Sequence, residues 1–167
     1  MLVLALLWSP ASAKASECAT LAAQAEEMFE IPRWILQAVV MTESSNHPYA
    51  LNVDGQAFYP ATKTEASALL HNHLESADNI DVGCGQISLR HHPHYFRDMP
   101  DLALDPWFNI VYAAKFLIEN KLRFGTWTEA VAHYHSGNAE RRHAYVCRVA
   151  RNLTILAGQK GAHVEEC

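Results

Sequence analysis

These 167 residues contain no apolar run of membrane-spanning length, no basic cluster, no CxxC or HExxH, no repeat and no low-complexity tract. Each absence excludes a class. The apolar run Leu2–Trp8 is too short to cross a bilayer. A net charge of -5 and a pI near 6.0 leave no patch suited to nucleic acid. Without CxxC, a zinc ribbon and a thioredoxin motif are set aside. No linker divides the chain, so one domain around one core is expected.

What is present begins with "MLVLALLWSPASAKAS". A short apolar segment followed by the small-x-small site Ala11-Ser12-Ala13 reads as a secretory signal over residues 1–13, although no Lys or Arg precedes it. Residues 14–167 are then the exported, periplasmic domain. Four cysteines, Cys18, Cys84, Cys147 and Cys167, fit an oxidising compartment. Three pairings are open. The expectation is a tie from Cys18 to the C-terminal region, with Cys84 a buried thiol. Glu17 before Cys18 argues against a lipoprotein cysteine.

Local signals predict a mostly helical chain. Residues 19–30 are Ala-rich and amphipathic, and Pro32 suits the first turn of a second helix. Asp54-Gly55 is a hairpin turn signal between short alternating runs. Thr62 with Glu65, and Thr126 with Glu129, have capping-box spacing. Ile80–Ile87 reads as an extended segment broken by glycines. Asp105-Pro106 opens a helix to Phe124 before Gly125, a further helix ends at Ser136-Gly137, and a last one covers 139–157. The fold class is α+β, mainly helical, with a small β-hairpin.

Glu43 ends the run "VVMTE". It lies four residues beyond Val39 and eight beyond Ile35, on the apolar face of its own helix. A carboxyl group desolvated there stays protonated towards neutral pH, as a general acid for glycoside cleavage requires. A helix-end glutamate pointing to solvent is the competing reading.

The segments "ESSNHPYALN", "IDVGCGQIS" and "AVAHYHSG" together resemble, in order and spacing, the three motifs of the soluble-lytic-transglycosylase (SLT) domain. The resemblance spans about residues 17–150. It implies a lysozyme-like domain of the goose-type kind, and "DPWFNIVYAAKFL" is most similar to small specialised transglycosylases of conjugation, secretion and flagellar machines. Residue by residue, it implies Glu43 as catalytic acid/base and Ser44 as the serine orienting substrate and glutamate. It further implies Gln86 on the groove, Tyr134 approaching the glutamate, and Asn52 close to the site. Gly85 stands where the family has Met, which removes a side chain and loosens the backbone; His135 stands where it has Asn and could touch glycan.

The implied substrate is peptidoglycan, cleaved between N-acetylmuramic acid and N-acetylglucosamine with closure of a 1,6-anhydro ring. That reaction needs one carboxylate, so Asp54, Asp78 and Asp81 are read as turn or loop residues. A lysozyme-type hydrolase and a weakened glycan-binding assembly protein are the alternatives. No cofactor and no metal is expected, the adjacent His91 and His92 being ill placed to share one ion. Trp107, Phe108 and Tyr112 read as core, and Phe58 and Tyr59 as groove candidates.

Overall fold

The computed structural model describes residues 10–96, 98–135, 138–158 and 167, with side chains from residue 17 onward. Helix α1 (Pro10–Met28) leads to α2 (Ile35–Ser44). Strands β1 (Leu51–Val53) and β2 (Gln56–Phe58) follow, then α3 (Lys63–His73), β3 (Ile80–Val82) and β4 (Ile87–Ser88). Helix α4 (Pro93–Phe96) and a 3-10 turn (Pro100–Leu104) precede α5 (Pro106–Phe124), α6 (Trp127–His135) and α7 (Ala139–Leu156). The chain is thus mainly helical with a small sheet, as expected. The signal reading falls largely on residues 1–9, outside the described ones, as do Ser136, Gly137 and 159–166.

Helix α5 is the axis of the core. Its buried stripe of Ile110, Ala113, Ala114 and Leu117 is fully covered, and the small alanines admit close neighbours. Both of its ends follow local chemistry. The Asp105 carboxylate accepts from Phe108 N at 2.8 Å, Pro106 occupies the first turn, and Gly125 closes the helix at φ 88°. Thr62 and Thr126 cap α3 and α6 as their spacing foretold, accepting from Glu65 N and Glu129 N.

One expectation is borne out and extended, and two need correction. The hairpin is half of a four-stranded antiparallel sheet in the order β2-β1-β3-β4. Its tight turn is Asp54-Gly55, both at positive φ, but β1 also pairs with β3 through Asn52↔Asp81. Pro32 does not start α2. Trp34 adopts φ 71°, and the buried Glu26 carboxylate accepts from Trp34 N and Gln37 N, so the helix begins only at Ile35. Cys18 pairs not with the C-terminal region but with Cys84, and Cys147 pairs with Cys167. Helix α1 packs on α2 and α5, which brings Cys18 to the glycine loop after β3. A bridge closing 66 residues restricts the unfolded chain by about 4 kcal/mol.

Candidate functional site

A cleft of about 660 Å³ opens between the sheet and the α6–α7 side of the molecule; its lining includes Glu43, Asn52, Asp81, Gln86, Tyr134 and His135. Five of the six residues singled out from the sequence therefore meet in one place. Ser44 is the exception.

Glu43 occupies the last turn of α2, where the apolar face of that helix meets the cleft. Its carboxyl is walled in by neighbouring groups although the residue keeps some surface in the cleft. Burial is the largest influence and raises its pKa from the usual 4.5 to about 7. The Tyr145 hydroxyl donates to Oε1 at 2.6 Å and pulls the other way; the Asp81 charge adds a smaller upward push and Arg148 a downward one. Among the described residues no other donor reaches the carboxyl of this cleft-lining residue.

The Ser44 hydroxyl is 1% exposed and donates to the Cys84 carbonyl at 2.8 Å. It stands in the interior, not on the groove wall expected of a substrate contact. What it does is tie the end of α2 to the glycine loop. The Asn52 side chain accepts from Gly55 N at 2.8 Å, so its amide is oriented by the hairpin turn it helps to form. Gln86 adopts φ 47°, and its Nε2 donates to the carbonyls of Ala50 and Gly83 at 3.1 and 3.0 Å. Tyr134 donates to the Gly85 carbonyl at 2.8 Å, and burial with the nearby Glu43 charge drives its own pKa well up. His135 lies flat against the Tyr145 ring, 4.5 Å between centroids and 6° between planes.

Gly85 does not loosen this wall. It is fixed on both sides, its N–H donated to Asn109 Oδ1 at 2.7 Å and its carbonyl held by Tyr134. A Cβ there would meet the Tyr134 hydroxyl at 2.8 Å and the Ala113 methyl at 2.9 Å, so the volume of a side chain is already filled. Gly83, at φ 79°, is equally confined: a Cβ there would lie 2.5 Å from Asn109 Nδ2. Asn109 is fully buried and satisfies three backbone groups around this loop, those of Gly85, Val82 and Ala103. Cys84 sits between the two glycines, bridged to α1.

Sequence reasoning missed Asn109 and Tyr145. Tyr145 lies on the buried stripe of α7 with Val149, a helical spacing visible in the sequence, but nothing local links it to a glutamate 102 residues away. Asp81 lines the cleft, and burial raises its carboxyl as well, against a hydrogen bond from Asn79. Asp54 stands in the turn, and its carboxylate accepts from Asn79 N at 2.8 Å and Asp78 N at 3.2 Å. His91, His92 and His133 share the cleft with His135, yet no three metal-ligating side chains gather among the described residues. Phe58 and Tyr59 are not part of it: they face His73 and His47. Phe108 and Tyr112 pack on the core, whereas Trp107 is 36% exposed.

Residues 20–148 match the family model described as "Transglycosylase SLT domain". No curated protein and no solved structure matches the chain. The family match covers well over half of the chain, which therefore belongs to the transglycosylase SLT family, whose members act on peptidoglycan.

Proposed function

We propose that this member of the SLT family is an exported peptidoglycan lytic transglycosylase in which Glu43 serves first as acid and then as base. The observation that carries the proposal is the single carboxyl at the end of α2, held protonated near neutral pH by burial and fixed by Tyr145. The protonated acid, on the wall of the cleft, donates its proton to the oxygen joining N-acetylmuramic acid to N-acetylglucosamine. The C1–O4 bond breaks, and the departing sugar leaves with a restored 4-hydroxyl. The carboxylate, costly to keep in a desolvated place, then removes the proton from the muramyl C6 hydroxyl. O6 bonds to C1, the 1,6-anhydro ring closes, and Glu43 is protonated again. Water takes no part in the balance.

Asn52, Gln86, Tyr134 and His135 would contact glycan from the walls, the first three with side chains already oriented by backbone partners. Ser44 and Asn109 would act from behind, fixing the loop between β3 and β4 to the end of α2 and to α5 respectively. The two disulfides suit an exported protein, and periplasmic work on the wall beside a flagellar, conjugation or secretion apparatus is the setting this reading favours. Asp81 supports a second reading: a carboxyl in the same cleft as Glu43 is the second acid that a lysozyme-type hydrolase uses.

Mass spectrometry of soluble muropeptides released from purified peptidoglycan separates the two. The transglycosylase yields 1,6-anhydromuramyl ends, lost with Glu43→Gln. Reducing ends, lost also with Asp81→Asn, would replace this reading with the hydrolase.

A further inference from the structure

A second hollow, of about 360 Å³, shares no lining residue with the cleft but begins where the cleft's helix ends. Ser45 and Asn46 follow Glu43-Ser44 directly, and both are held at positive φ, 53° and 63°. Left-handed backbone in two successive non-glycine residues is costly and persists where the surroundings enforce it. These residues form one side of the hollow, and Arg148, Arg151 and Asn152 of α7 form the other. No carboxylate pairs with Arg148 or Arg151 among the described residues. Both arginines are exposed, one helical turn apart on the face that lines the hollow. Asn152 donates to Thr42 Oγ1 at 2.9 Å, which ties α7 to α2. Asn46 also lines the hollow, and its Oδ1 atom is buried and meets no donor.

The hollow thus offers two guanidinium groups that call for an anion. A glycan strand carries no charge on its sugar rings, whereas the peptide stems on its muramyl residues bring carboxylates and amide N–H groups together. We propose that Arg148 and Arg151 form a binding site for the carboxylate-bearing peptide stem of the strand held in the cleft. The inference rests on the peptidoglycan reading above and adds a preference for strands that keep their stems. Arg148 joins the two places, since it lies over the Tyr145 ring at 5.5 Å.

The test is a titration of the mature protein, followed by amide NMR, with the tripeptide L-Ala–γ-D-Glu–diaminopimelate. Wild type should bind, with shifts at Ser45, Asn46 and Asn152. Binding should weaken about tenfold for Arg151→Gln and for the tripeptide with amidated carboxyls, the size of one charge-assisted contact. Equal binding by Arg151→Gln, or by the amidated peptide, would overturn the site. So would shifts produced by inorganic phosphate with none produced by the peptide. Because the readout needs no turnover, a protein that binds the stem but releases no muropeptides would sink the catalytic reading and leave this one standing.

Discussion

The two ends of α2 each hold a buried glutamate, and the environments are opposite. At the N-terminal end, Glu26 reaches from α1 and accepts three hydrogen bonds: from Trp34 N, Gln37 N and Gln37 Nε2, at 3.0, 3.0 and 2.7 Å. Two of those donors are backbone N–H groups that the first turn of a helix leaves open, and the helix dipole favours negative charge there. At the C-terminal end, Glu43 receives one hydroxyl, lies where the dipole opposes negative charge, and is desolvated. The same side chain is a structural acceptor in one place and a stored proton in the other. Number and kind of donors decide which.

Several substitutions break or sharpen that contrast. The largest effect is expected from Glu43→Gln, which keeps the shape and removes the proton. Release of muropeptides should fall by about a thousandfold or more, within what a positioned general acid contributes, with the fold intact by circular dichroism. Glu26→Ala should do the reverse. It leaves Trp34 N and Gln37 N without their acceptor and should lower stability in denaturant unfolding by about 3 kcal/mol, while activity of the folded fraction persists.

Stability against pH carries the next effect. Below 4.5 the Glu43 carboxyl is protonated folded or unfolded; above it the unfolded chain ionises while the folded one holds its proton to about 7. The folded state's advantage from that proton is therefore lost as pH rises through this window, on the order of 3 kcal/mol in all. Glu43→Gln should remove this slope, so that the variant gains on wild type from pH 5 to 8 in parallel urea titrations. A difference that stays constant with pH would mean the carboxyl is not desolvated. The smallest effect is expected from Tyr145→Phe. The lost hydrogen bond had favoured the ionised form, so the pH–rate profile should shift upward, whereas a purely packing role for the ring would leave its position unchanged.

What was legible in the sequence follows from the same physics. Asp105-Pro106 and Gly125 bound α5 because caps act within one turn, and Asp54-Gly55 marks its turn because only those dihedrals join the strands. The periodicity Ile35, Val39, Glu43 told that the carboxyl shares an apolar face. It could not tell that Tyr145 arrives from 102 residues away, nor that Cys18 reaches Cys84 across 66. Those partners are chosen by how helices pack. The start of α2 was misplaced for the same reason, since its cap is a side chain from α1. Gly85 misled because an absent side chain reads as slack until Tyr134 and Ala113 are seen filling the space.

The most direct test is a carbon NMR titration of the mature protein with its glutamate carboxyls labelled, the Glu43 signal assigned by its absence from Glu43→Gln. The account predicts a midpoint near 7, well above the usual carboxyl value. A midpoint at the usual 4.5 would show a solvated helix-end carboxylate and contradict the assignment of Glu43 as the stored proton.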